Sequence, residues 1–517
     1  MKKRKYSFLL QYFILTLLLL VGMAACDSPN SKDTGEQSVE DESQLSNKAI
    51  VEQSAEALPQ LIDGGIYKII NKASGRALNT QMAGMVDGST VQQYIDTNTF
   101  DELWRVQIED GYYTFENLLT PRYLSVRKDS NEIGSLIEVK LPEEDNLHKW
   151  NLSVKDDAYQ MLPYNSTLTL GLTENTIKSS FYPQLLEYSE QDYELWQFKK
   201  VDMQEDLPII LPVEGDVFHS SCPQIVKYGD TYYMYIMAPG ISIKTSTDLI
   251  HWETVGQAFP GSNPSWLGKE VPGYGIWAPS VYAINGKYYL YYCISTEGSQ
   301  NSAIGLAENV TLDYTSPDFK WVDKGMVIRS YTGDDYNCID PNIFINDNGE
   351  AWLTFGSYWQ GIFQRQIDSD TGLLLEENTE VFHIAKRYAS NGAIEAPYII
   401  KRNDYYYLFM AFNPMDKSYQ NRVGRSTSLH GTYYDREGRS LLKGGATAVT
   451  ESLDELLMPG HASVFLNDDG QYYLVSEYFR KDSASIMMIG TIVWDEEDWP
   501  ITALTPDAVT LLQDTIK

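Results

Sequence analysis

The chain has 517 residues and a strongly acidic balance, 71 Asp and Glu against 40 Lys and Arg, for a formal charge of −31 at pH 7. A surface of that sign repels nucleic acid and anionic polymers, so a neutral or weakly charged ligand is the better match. Four cysteines without paired metal-ligand spacing imply neither a disulfide framework nor a zinc site.

From the N-terminus, Lys2, Lys3, Arg4 and Lys5 precede an apolar run from about Phe8 to Met23, the pattern of a secretory signal and short for a membrane span. The run ends in Met23-Ala24-Ala25-Cys26, which resembles a bacterial lipobox. That resemblance implies removal of residues 1–25 and a lipid on Cys26, so the mature protein is tethered to the cell envelope on a periplasmic or outer face. Residues 26–60 are polar, acidic and without aromatics. They cannot bury enough apolar surface to offset chain entropy and read as a disordered linker. Beyond them tyrosine is abundant, at 37 in the whole chain, and no long stretch keeps a helical period. The expectation is nearly all-β structure in two domains.

Between residues 61 and 203 the tripeptides Glu102-Leu103-Trp104, His148-Lys149-Trp150 and Glu194-Leu195-Trp196 recur, with tryptophans 46 residues apart. Each follows short strand-like segments, such as YYTFENLLTPRYLSV from Tyr112. Three such copies predict a threefold β-trefoil, with the tryptophans most simply in its core. The segment resembles the ricin B-type lectin family, whose repeats end in glutamine, any residue, tryptophan. Glu102, His148 and Glu194 stand where the glutamine does. The resemblance implies that this domain binds sugar.

Residues 204–517 repeat one phrase five times: CPQIVKYGDTYYMY from Cys222, APSVYAINGKYYLYY from Ala278, DPNIFINDNGEAWLTF from Asp340, APYIIKRNDYYYLF from Ala396 and HASVFLNDDGQYYLV from His461. Pro223, Pro279, Pro341 and Pro397 lie 56, 62 and 56 residues apart, and Ala462 follows after another 65. A period of this size with several strands per unit predicts a five-bladed β-propeller. Cys222, Trp277, Asp340, Glu395 and His461, just ahead of those positions, are expected to converge on the central axis. Two carboxylates, a histidine and an aromatic in one funnel suit acid-base chemistry.

The segments TSTDLIHWETVG from Thr245, GIWAPSVYAINGKYYLYY from Gly275, DDYNCIDPNIF from Asp334, FGSYWQGI from Phe355, NGAIEAPYII from Asn391, GRSTSLHGTYYD from Gly424 and MPGHASVF from Met458 together resemble glycoside hydrolase family 43, in particular its endo-1,5-α-L-arabinanase branch. The resemblance implies inverting hydrolysis, in which one carboxylic acid protonates the leaving oxygen and an opposed carboxylate activates water. Residue by residue it implies Glu395 as general acid and Asp340 as the group that sets its pKa. It also implies that His461 helps hold an axial calcium or similar ion, largely through water. Trp277, Tyr358 and Trp359 are candidate platforms for sugar rings, and Asn337 a candidate substrate contact.

The base departs from the family pattern. The family opens its first blade with histidine-aspartate-proline, whereas here Cys222 precedes Pro223 and occupies the base position. A thiol is mostly protonated near neutrality and is a poor substitute. Ser280 stands where the family has aspartate, and Ser476-Glu477-Tyr478 where arabinanases carry a histidine. Asp216 could supply a carboxylate only if a loop folded it back, because six residues of extended strand span about 20 Å. Two readings result. One is a monomeric, tethered hydrolase that attacks an arabinan-like polysaccharide with a nonstandard base. The other is a non-catalytic glycan-binding lipoprotein. A third carboxylate at the axis opposite Glu395 separates them in favour of catalysis.

Overall fold

The computed structural model describes residues 60–505, apart from 82–85, 97–98, 128–131, 203–206, 262–263, 272–274, 389–391, 417, 454–455 and 480–483. Cys26 and its flanking signal lie outside the described residues.

The first domain is a trefoil of short strands running from Ile66–Asn71 to Trp196–Val201. These two strands pair antiparallel over six residues, so the chain closes on itself and leaves no free edge there. The threefold repeat seen in the sequence is explicit in the hydrogen bonds. The indole N–H groups of Trp104, Trp150 and Trp196 donate to the carbonyls of Leu78, Leu124 and Leu170 at 3.1, 2.9 and 2.8 Å. All three tryptophans are fully buried in one apolar core with those leucines. Their spacing is therefore the spacing of a core, since each large ring needs both an apolar bed and one acceptor.

The second domain is a five-bladed propeller, each blade an antiparallel meander. The innermost strands are Ser221–Tyr228, Trp277–Ile284, Asn342–Ile345, Ile394–Arg402 and Leu457–Leu466. The second strands, such as Lys287–Ile294 and Tyr405–Phe412, are packed on both faces between neighbouring blades. That explains their continuous aromatic and apolar runs. The chain ahead of the first blade seals the ring. The N–H of Leu211 donates to the Ile489 carbonyl at 2.7 Å and that of Met487 to Val217 at 3.0 Å, along strand Ser485–Trp494 of the last blade. Glu214–Gly215 then pairs with His251–Gln257, the outer strand of the first.

The same segment seats the trefoil. The N–H of Ile210 donates to the Leu119 carbonyl at 2.7 Å, and Leu103, Leu118 and Leu119 share an apolar cluster with Ile210, Val213 and Ile489.

One detail corrects the sequence alignment of the axis. The equivalent residues of the five blades are Cys222, Ala278, Asp340, Ala396 and His461, with φ of 49°, 43°, 56°, 51° and 47°. In four blades the strand register skips around this residue, as between Glu395 and Tyr398. The left-handed residue is an unpaired bulge, which re-aims the side chains beside it. Trp277 and Glu395 precede alanines at that position, so they are one residue out of step with Cys222, Asp340 and His461. They reach the same cleft from the strand end instead.

Candidate active site

The bulges open onto a cleft of about 1070 Å³ at one end of the axis, at the upper end of the sizes usual for ligand sites. Its floor carries Cys222, Asp340, Glu395, His461 and Glu477. Trp277, Tyr358 and Trp359 stand on its walls, and Asn337 lines it as well. Trp359 is 38% exposed and presents an open face, whereas Asn337 is buried with its Oδ1 left without a partner.

Glu395 is held from two sides. Tyr419, just ahead of the third strand of its blade, donates to Oε1 at 2.7 Å, and Ser357 of the preceding blade donates to Oε2 at 3.1 Å. Asp340 accepts the N–H of Ala396 through Oδ2 at 3.0 Å, which ties it to the bulge that aims Glu395. Burial pushes Glu395 up to about 7, the neighbouring Asp340 charge adds to the shift, and Tyr419, His461 and Ser357 oppose it. Asp340 is pushed up to about 7 by burial, against the Ala396 N–H. Two carboxyls sharing one site do not both ionise easily, so the pair retains a proton near neutrality. A carboxylic acid that is still protonated at working pH is what a general acid requires.

Cys222 does not replace a carboxylate. Burial holds its thiol well above the usual range, with Glu477 and Asp340 adding to the effect. Its Sγ lies 3.4 Å from His461 Nδ1 and 3.9 Å from the Met237 sulfur. Burial in turn lowers His461 to about 4, so the two form a neutral contact and not a thiolate-imidazolium pair.

Asp216 is not recruited. Its Oδ2 accepts the Thr254 N–H at 2.8 Å beside the outer strand of the first blade, away from the cleft. Ser280 is buried and bonds the Tyr282 hydroxyl at 2.8 Å, below the cleft floor. Calcium takes six to eight oxygen ligands. Among the described residues no three His, Cys, Asp or Glu side chains are grouped to hold a metal ion, and His461 faces a thiol. The described side chains at the axis therefore supply no set of direct protein ligands for calcium.

The third carboxylate in the cleft floor is Glu477, which the sequence reading passed over. It lies in the second strand of the last blade, Tyr472–Phe479, opposite Gly460. The available signal was a lone acid in the run YYLVSEYF. A strand buried on both faces carries no charge without a reason.

A propeller cleft with aromatic walls and opposable carboxyls defines a glycosidase-type hydrolytic site. Residues 218–500 match the family model of the glycosyl hydrolases family 43, and residues 58–140 match that of the ricin-type beta-trefoil lectin domain-like family. The chain belongs to glycosyl hydrolases family 43. Among similar proteins, an extracellular exo-alpha-(1->5)-L-arabinofuranosidase of Cellvibrio japonicus is 35% identical over 295 residues, covering 54% of this chain and 84% of the relative. An extracellular endo-alpha-(1->5)-L-arabinanase of Bacillus subtilis is 33% identical over 289 residues, covering 54% and 86%. The crystal structure of a Cellvibrio cellulosa alpha-L-arabinanase complexed with arabinohexaose is 34% identical, with a TM-score of 0.53, covering 55% of this chain and 96% of that one.

Proposed function

We propose that the protein hydrolyses 1,5-linked α-L-arabinofuranosyl chains with inversion, using Glu395 as the general acid and Asp340 to hold its proton. The observation that carries this reading is the Glu395–Asp340 pair, half-buried and buried side by side at the floor of an aromatic-walled cleft and pushed up to about 7. The kinship with proteins named for arabinan hydrolysis supports the substrate class. Trp277, Tyr358 and Trp359 offer faces for the C–H patches of furanose rings, and Asn337 a buried amide for a sugar hydroxyl. The non-catalytic reading draws no support from a cleft that holds three buried or half-buried carboxyls.

Two relatives are named as extracellular, which supports export of this chain; lipid attachment at Cys26 is the route proposed here. The trefoil is proposed to hold the same polymer at a second site, raising its local concentration at the cleft. The test is incubation of the purified protein with linear 1,5-arabinan and chromatography of the products. Release of arabino-oligosaccharides or arabinose is expected. Intact polymer, with binding still measurable by calorimetry, would leave a glycan-binding protein and remove the hydrolase reading.

A further inference from the structure

The hydrolase reading leaves one role empty, because the position that should bear the base carries a thiol. The inference below rests on that reading. Glu477 is 2% exposed and has no cation paired with it among the described residues. Its Oε2 is buried without a hydrogen-bond partner. A buried carboxylate with no cation beside it and one oxygen unsatisfied is costly to retain. The strand is otherwise Tyr, Leu, Val, Ser and Phe, and any of these types would fill the place without a charge.

Its location is specific. The carboxyl lies beside the Cys222 backbone and the Ser221 hydroxyl, against the very residue whose side chain has lost the acid. It also faces the general acid across the floor. Glu477 pairs with Gly460, and a methyl group on Gly460 would overlap the ring of Tyr419. That same tyrosine donates to Glu395. Glu477 and Glu395 thus lie near one aromatic ring: the Glu395 charge raises the proton affinity of Glu477, and both charges raise that of Tyr419. Glu297 also lines the cleft, but it is exposed, on the loop after Lys287–Ile294 and beside Tyr358.

We propose that Glu477 is the general base, a carboxylate moved from the innermost strand of the first blade to the second strand of the last. A water held by the Glu477 carboxylate gives it a proton while the water oxygen bonds to the anomeric carbon from the face opposite the leaving sugar. The carbon–oxygen bond to the leaving sugar breaks, its electron pair stays on the leaving oxygen, and that oxygen takes the proton of Glu395. One water is added, the configuration inverts, and Glu477 ends protonated and Glu395 ionised. Exchange with solvent restores both.

The test uses the purified protein, linear 1,5-arabinan and sodium azide. Glu477→Gln keeps the shape of the side chain and is expected to lower kcat/KM by about 10²- to 10⁴-fold. Glu477→Ala makes room for azide, which needs no base. It is expected to regain turnover with azide and to release oligosaccharides ending in a β-L-arabinofuranosyl azide, a product that a purely structural loss cannot give. Thermal melts and oligosaccharide affinity near those of the wild type confirm the fold of both variants. Wild-type rates in Glu477→Gln would overturn the proposal, as would folded Glu477→Ala that azide leaves inactive. Loss of turnover and azide rescue in Glu297→Gln instead would assign the base to that residue and equally overturn it. An inactive wild-type protein would strike the hydrolase reading itself, not the choice of base.

Discussion

Glu395→Gln lowers kcat/KM on 1,5-arabinan by about 10²- to 10⁴-fold, while an aryl arabinoside with a good leaving group loses about tenfold or less. The difference follows from the role. A sugar alkoxide leaves only if it is protonated as the bond breaks, whereas a nitrophenolate leaves without help. Glutamine preserves the contacts to Tyr419 and Ser357 but has no acidic proton to give. Steady-state kinetics on the two substrates checks this. Equal losses on both would show that residue 395 organises the cleft and does not protonate the leaving oxygen.

Asp340→Asn lowers kcat/KM by about 10²-fold or more and moves the alkaline limb of its pH profile toward lower pH. The wild-type profile is expected to be bell-shaped about neutrality, rising as the base loses its proton and falling as Glu395 loses its own. Asp340 from the third blade and Glu477 from the fifth are the acidic neighbours in the cleft floor, both pushed up to about 7 chiefly by burial. Cys222 and Tyr419 are held well above their usual ranges and His461 is lowered to about 4. These three stay uncharged at pH 7, so the carboxyls alone shape the curve. The Asp340 charge raises Glu395; asparagine removes it, and Glu395 then ionises at lower pH. Profiles of kcat/KM for both proteins give the measurement, and an unmoved alkaline limb would contradict the coupling.

The architecture was legible because both repeats are core repeats. Tryptophans 46 residues apart mark the three lobes since each indole bonds the carbonyl of an equivalent leucine, and the prolines mark the innermost strands of four blades. The axis was less legible. Ala278 and Ala396 occupy the left-handed bulge, and a bulge adds a residue that no period-two pattern announces. Trp277 and Glu395 stand one residue ahead of Ala278 and Ala396, which the prolines align with Cys222 and Asp340, and the bulge is what turns them into the same cleft. Asp340 and Glu395 could be named from their motifs, since CIDPN and AIEAP carry their context with them. Glu477 could not, because its strand is buried on both faces and alternation does not tell which side chain turns toward the axis. Asp216 is close to Cys222 along the chain, but the acid beside it in space belongs to a strand some 250 residues later, in the last blade, which closes the ring against the first.

The most direct test of the account is the configuration of the first product. Proton NMR of a fresh wild-type digest of 1,5-arabinan, recorded before mutarotation, should show the β-anomer of the new reducing end rising first. That result fits water delivered opposite the leaving sugar by one carboxylate while another protonates it. The α-anomer appearing first would mean a covalent intermediate on a floor residue and would contradict the single-displacement mechanism assigned to Glu395, Asp340 and Glu477.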